Sequence, residues 1–100
     1  MNEVTLKLNE KGHGAFFIMN GEQQLGEMVV SVSGKNLTVY HTEVAAEAEG
    51  KGLAKNMLNA MIDYSRKNNL KVIPLCPYVH AQFQRHPADY ADVWNKDEKE

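Results

Sequence analysis

The hydrophobic period of this chain first changes at Gly50-Lys51-Gly52. Before it, apolar residues recur at every second position in short runs separated by turn residues. After it, they recur every three or four. The junction is constrained in its own right. Two glycines between a strand and a helix let the backbone turn tightly and approach a bound group closely. The first N–H groups of the following helix then face that group, and the helix dipole favours an anion there. Lys51 adds a mobile positive charge between the glycines, so the stretch reads as a pyrophosphate cradle. A G-x-G turn is also common punctuation, and the order of elements around it carries the weight.

Upstream, Val4 to Leu8 alternates apolar Val4, Leu6 and Leu8 with polar Thr5 and Lys7, the period of a half-buried strand. Asn9 to Gly14 is a turn cluster, and Ala15 to Met19 is the second predicted strand. Asn20-Gly21 signals a hairpin, since both residues tolerate positive φ. Leu25 to Ser33 is the third strand, and Gly34-Lys35-Asn36 turns the chain into the fourth, Leu37 to Val44. Short connections throughout predict an antiparallel four-stranded meander.

Downstream, Leu53, Met57, Met61 and Tyr64 or Ser65 recur at helical spacing, with Ala54, Leu58 and Ile62 widening the stripe. The three methionines in it read as core. Asn68-Asn69 ends this helix. Lys71 to Leu75 is a fifth strand, and Val72, Ile73 and Leu75 predict burial on both faces. A strand–helix–strand unit of this length makes a parallel, right-handed crossover. Strands four and five are therefore expected side by side, both ending near the glycine loop. Pro77 opens a helix running from Tyr78 to about Arg85, with Cys76 just before it. His86-Pro87 closes that helix, and Ala88 to Trp94 makes a further turn anchored by Tyr90, Val93 and Trp94. Residues 1–94 are read as one α+β domain, and the charged residues 95–100 as a frayed tail.

One hundred residues suffice for a single modest core. A hydrophobic content of 43%, a charged content of 24% and a net charge of −2 describe an ordinary globular protein. That balance gives no reason to expect nucleic acid or an acidic membrane as partner. A single cysteine excludes an internal disulfide and suits a reducing compartment. No signal-peptide apolar region occupies Met1 to Glu10, and no run reaches membrane-spanning length. A cytoplasmic protein is expected, with the oligomeric state illegible and a monomer plausible.

Three residues could carry chemistry. Cys76 stands at a helix start, where the positive end of the dipole favours a thiolate. His41 lies on strand four, in the part expected to run beside strand five, and is a natural base or hydrogen-bond partner for a group between the strands. Tyr78 is either a core aromatic or a weak acid near the reacting group. The ordinary alternatives are a small buried thiol and a satisfied core histidine. Cys76, His80 and His86 lack the paired spacing of a structural zinc site, and no metal is expected.

Together these residues resemble a known family. Four antiparallel strands, a glycine-rich loop, a helix, a parallel fifth strand and another helix resemble the GNAT superfamily of N-acetyltransferases. Its loop form, Q/R-x-x-G-x-G/A, falls on Glu47-Ala48-Glu49-Gly50-Lys51-Gly52, with Glu47 in place of arginine or glutamine. His41-Thr42-Glu43-Val44, Glu49-Gly50-Lys51-Gly52, Pro74-Leu75-Cys76-Pro77-Tyr78-Val79 and His86-Pro87 together resemble the minimal GNAT-like subgroup, in which an acidic loop is normal.

The resemblance implies binding of acetyl-CoA. The pyrophosphate would rest on the amides of Glu49, Gly50, Lys51, Gly52, Leu53 and Ala54, with Lys51 and Lys55 meeting the phosphates. The pantetheine arm would pair with the backbone at Glu43 and Val44, where strands four and five splay apart. The thioester would then reach Cys76 and His41, the positions put forward as catalytic in that subgroup. Two routes stay open. In direct transfer an amine attacks, and Cys76 or Tyr78 protonates the departing sulfur. In the covalent route Cys76 takes the acetyl group first. An N-acetyltransferase acting on an unidentified amine, small or protein-borne, is the leading expectation. A non-catalytic acyl-CoA-binding or sensing module is the alternative.

Overall fold

A computed structural model of the chain describes residues 3–96. Its five strands form one sheet in the order β1-β2-β3-β4-β5, comprising Glu3–Leu8, His13–Asn20, Gln23–Ser33, Asn36–Val44 and Lys71–Pro74. The first four make the expected antiparallel meander, and β5 runs parallel to β4 after a helical crossover. That crossover helix is α1 (Leu53–Lys67); α2 (Pro77–Arg85) and α3 (Pro87–Tyr90) follow β5. Among the described residues, no helix is long and apolar enough to cross a membrane.

Strand alternation sorts residues onto two faces. Phe16, Ile18, Met28, Val30, Leu37, Val39 and Val72 share one buried cluster with Met57, Leu58, Met61 and Ile62 of α1, Val79 and Phe83 of α2, and Tyr90 of α3. All three helices therefore lie on that side of the sheet. Phe83 stacks on Tyr90 at 4.7 Å between centroids and meets Trp94 edge-on at 5.4 Å. Arg66, near the end of α1, donates to both carboxylate oxygens of Asp92 at 2.9 and 3.1 Å, fastening the helix to the turn after α3. Each large aliphatic buried here contributes roughly 1.5–3 kcal/mol, so this single layer contact is the main stabilising feature. The other face, bearing Phe17, Met19, Val29, Thr38, Tyr40 and Ile73 by alternation, carries no helix among the described residues.

Local departures from expectation have local causes. The first tight turn is Gly21-Glu22, with Asn20 paired to Gln23 and Gly21 alone at positive φ, so the turn sits one residue later than Asn20-Gly21 suggests. A two-residue hairpin loop puts its positive-φ position at the turn centre, which glycine fills more readily than asparagine. Strand β5 stops at Pro74, and Leu75 is 46% exposed, so burial on both faces holds for Val72 and Ile73 but not for Leu75. Proline offers no N–H to extend the ladder.

Trp94 bridges to Val72, extending the sheet beyond β5, and the Asn95 N–H donates to the Val72 carbonyl at 2.9 Å. The Asn95 side chain also donates to Asn36 Oδ1 at 2.9 Å, and Lys96 Nζ lies 4.6 Å above the Trp94 ring. The start of the expected tail is thus tied to the fold, and residues 97–100 lie outside the described residues.

Candidate active site

Strands β4 and β5 pair only from Asn36–Lys71 to Val39–Pro74. Past that point Leu75 turns its N–H back to the Ile73 carbonyl at 3.1 Å, and one last bond joins the Cys76 N–H to the Val39 carbonyl at 2.8 Å. On β4 the register with β3 slips: Val39 faces Val30 and His41 faces Val29, leaving Tyr40 as the extra residue of a bulge. A bulge bends its strand and sharpens its twist. Residues 40–44 consequently keep an edge with no strand partner on the β5 side among the described residues. His41 was expected in the stretch alongside β5; the pairing ends before reaching it, because Pro74 stops β5 and the bulge turns β4 away.

The glycine loop closes one end of this gap. The Ala45 N–H is anchored on the Leu25 carbonyl at 2.8 Å. A 3₁₀ turn at Ala46–Ala48 follows, and it engages the N–H groups of Ala48 and Glu49. The Glu49 amide, expected to be free for a ligand, is therefore already bonded, at 3.3 Å to Ala46. Gly50 and Gly52 take φ values of 83° and 76°, the left-handed region that favours glycine. A methyl group built on either would meet nothing within 4 Å, so these glycines serve the backbone path and leave open space above it. Gly52 immediately precedes helix α1, and its carbonyl accepts from the Asn56 N–H at 3.1 Å. The N–H groups of Leu53, Ala54 and Lys55 have no carbonyl one turn earlier. No side chain caps them, and no acidic residue occupies the first turn.

A groove of about 390 Å³ runs along these amides, lined by Thr42, Val44, Ala48, Glu49, Gly50, Gly52, Leu53, Ala54, Lys55 and Tyr78. Most of the expected cofactor residues line it. Glu43 lines the neighbouring cleft, and Lys51 is exposed on the loop beside it. Open amides, open space over two glycines and two lysines form a donor set that suits a diphosphate.

Tyr78 lines this groove, and Cys76, two residues before it, lies outside the lining. Cys76 is 2% exposed, and its Sγ lies 3.3 Å from Thr42 Oγ1. The sulfur makes no capping bond to α2. Tyr78 is half-buried, and burial, followed by nearby Tyr90 and Cys76, raises its phenol above the ordinary 10.0. It therefore keeps its proton at neutral pH.

His41 takes the opposite face. Thr42 pairs with Met28 on the helix side, so its neighbour His41 points to the open side, where Nε2 lies 3.0 Å from Glu43 Oε1. The structure joins Cys76 to Thr42 and sets Tyr78 in the groove, but it does not bring His41 to Cys76. Thr42 escaped sequence reasoning; the one available signal was its place between two open-face residues on an alternating strand. His80 packs edge-on against Trp94 at 6.1 Å.

A second cleft, of about 490 Å³, shares Thr42, Val44 and Glu49 with the groove and adds Gln24, Leu25, Gly26, Glu27, Glu43 and Ala45. Three carboxylates line it: Glu27 from β3, Glu43 from β4 and Glu49 from the loop. No acidic groove was legible beforehand, because these residues come together only when β3, β4 and the loop converge.

Residues 15–93 match the family model described as GCN5-related N-acetyl-transferase. The chain belongs to the GCN5-related N-acetyltransferase family. Members are acyltransferases that use acetyl-CoA as co-substrate. Among solved structures, a GCN5-like protein from Staphylococcus aureus is 29% identical and has a TM-score of 0.67, covering 94% of this chain and 90% of that one. Ribosomal-protein-alanine N-acetyltransferase from Brucella melitensis shares the fold at a TM-score of 0.70 and 12% identity, over 100% of this chain and 96% of its own. The ribosomal-protein-S18-alanine N-acetyltransferase from Escherichia coli matches 74% of this chain at a TM-score of 0.67 and 12% identity. The chain spans 66% of that enzyme's length, a little under two thirds. No curated protein matches in sequence.

Proposed function

We propose that this GCN5-related family member moves the acetyl group of acetyl-CoA to an amine in the gap between β4 and β5. One observation carries the reading: the residues bearing the uncapped N–H groups at the head of α1 line the same groove as Tyr78. In this reading the amides from Gly50 to Lys55 hold the diphosphate, with Lys51 and Lys55 adding charge. The unpaired edge at Glu43 and Val44 offers backbone hydrogen bonds to the amide-bearing arm of the co-substrate, as an added strand would receive.

The acceptor amine enters by the carboxylate-lined cleft, whose charge attracts its protonated form. The bound ammonium first gives one proton to His41, linked to the cleft through Glu43, or to water. As the neutral amine then forms the C–N bond and the C–S bond breaks, the nitrogen's second proton passes through water to replace the one lost by Tyr78. Tyr78, kept neutral by burial, gives its proton to the departing sulfur. Direct transfer is favoured over an acetyl-cysteine, because Tyr78 lines the groove whereas Cys76 is buried against Thr42. A small-molecule amine and a protein amine both suit this arrangement. The buried free thiol suits a reducing, cytoplasmic setting.

The same burial of Cys76, and its separation from His41, favours a second reading as a non-catalytic acyl-CoA sensor. Titration calorimetry with coenzyme A, followed by incubation with isotopically labelled acetyl-CoA and a panel of amines, separates the two. Binding with label passed to an amine is expected. Binding without transfer points to the sensor, and absence of binding removes both.

A further inference from the structure

The sheet has two outer edges, and they are treated differently. Beyond β5, Trp94 and Asn95 bridge to Val72. Beyond β1, nothing among the described residues does so: Glu3–Leu8 pairs with β2 and presents its other side unpaired. A bare edge strand is a template for another strand, and proteins that stay monomeric usually blunt it.

The charges of β1 that would blunt its edge against other strands are of opposite sign and four residues apart. They can therefore complement each other across a second copy. Glu3, Thr5 and Lys7 sit on the open face, opposite Met19, Phe17 and Ala15 of β2, while Val4 and Leu6 sit on the helix face. Among the described residues, neither Glu3 nor Lys7 has an ion-pair partner in its own chain. On the helix side, Val4, Leu6 and Leu8, with Ala60 and Tyr64 of α1, pack on the core yet stay only partly buried. They leave an apolar shoulder along the edge.

We propose that β1 pairs antiparallel with β1 of a second copy of this chain, about a twofold axis at Thr5. In that register each Glu3 stands directly opposite the other copy's Lys7, twice per dimer, and each Val4 opposite a Leu6. Opposed residues share a face, so the charges meet on the open side and the apolar residues on the helix side. A single surface patch complements itself, as a twofold interface requires. The result is a continuous ten-stranded sheet with both helical layers on one side. The β4–β5 gap of each copy lies at the far end of the sheet from the axis, so both sites stay open. The inference stands apart from the proposed chemistry.

The test is the solution mass of the full chain across a concentration series, by light scattering or sedimentation. A dimer, twice 11.3 kDa, is expected. Glu3→Lys and Lys7→Glu each place like charges across both symmetric pairs, and each should weaken dimerisation roughly tenfold or more. Mixing the two single variants restores both opposite-charge pairs, and the double variant Glu3→Lys with Lys7→Glu restores them within one chain. Both should dimerise like the parent. Both positions are exposed, and unchanged circular dichroism confirms that the variants fold. A parent that stays at 11.3 kDa throughout overturns the proposal, as does a dimer indifferent to both substitutions.

Discussion

Thr42 Oγ1 lies 3.3 Å from Cys76 Sγ, a contact made where β4 and β5 have stopped pairing through their backbones. It links the free edge of β4 to the residue that heads α2, and so ties the two walls of the gap together. Thr42 also lines both the groove and the acidic cleft. A substitution at either partner should therefore register in stability and in turnover, and the ratio of the two effects separates support from chemistry.

Cys76→Ala removes a buried sulfur and should destabilise by about 1–2 kcal/mol. Affinity for coenzyme A should be unchanged, with the transfer rate reduced within about tenfold if transfer is direct. A loss beyond roughly a thousandfold, matched by an acetyl adduct on the parent cysteine in intact-mass spectra, would establish the covalent route instead. Thr42→Val, which keeps shape and deletes the hydroxyl, should cost about 1 kcal/mol, read as a melting shift of a few degrees.

Gly50→Ala forces a side chain into the left-handed region at φ 83°. The strain should cost about 1–2 kcal/mol. The methyl meets no protein atom within 4 Å, so any further loss belongs to the ligand. Calorimetry should show coenzyme A binding weakened roughly tenfold or more, a larger drop than the shared strain explains.

Tyr78→Phe should lower kcat about a hundredfold while leaving KM for acetyl-CoA nearly unchanged. The phenol's raised pKa sets the pH behaviour. A proton donor acts below its pKa, so the parent rate should hold through neutral and mildly alkaline solution and fall only above about pH 10. The variant should lack that falling limb.

Asp92→Asn should test the clamp between α1 and the turn after α3. The hydrogen bond from Arg66 holds the Asp92 carboxyl below its usual 3.8. A depressed carboxyl contributes stability that is present above the unfolded value and is lost as pH falls through the folded one. The pair is exposed, so its worth is at most about 1 kcal/mol. Melting curves at pH 7 should therefore show a small drop in Tm for the variant. That difference should shrink as pH falls through the depressed carboxyl's titration and vanish once both chains are without the charge.

Much of the architecture was legible locally. The alternation in Val4–Leu8, the stripe from Leu53 to Ser65 and the proline at the head of α2 each involve neighbours within a turn or two, and each became the element expected. The glycine loop was equally legible, because positive φ at Gly50 and Gly52 depends on those residues alone. The residue pairings were not. His41 and Cys76 looked like partners on a flat reading of two parallel strands. The bulge at Tyr40 and the end of β5 at Pro74 give that place to Thr42.

By itself, the sequence determined the order of elements, the parallel fifth strand and the two-glycine turn into α1, since each follows from periods and backbone preferences a few residues long. Only the tertiary structure decided which face of β4 each side chain takes, where the gap opens, and that Glu27, Glu43 and Glu49 line one cleft. Those outcomes depend on strand register across tens of residues, and a one-residue slip in register exchanges the two faces of a sheet.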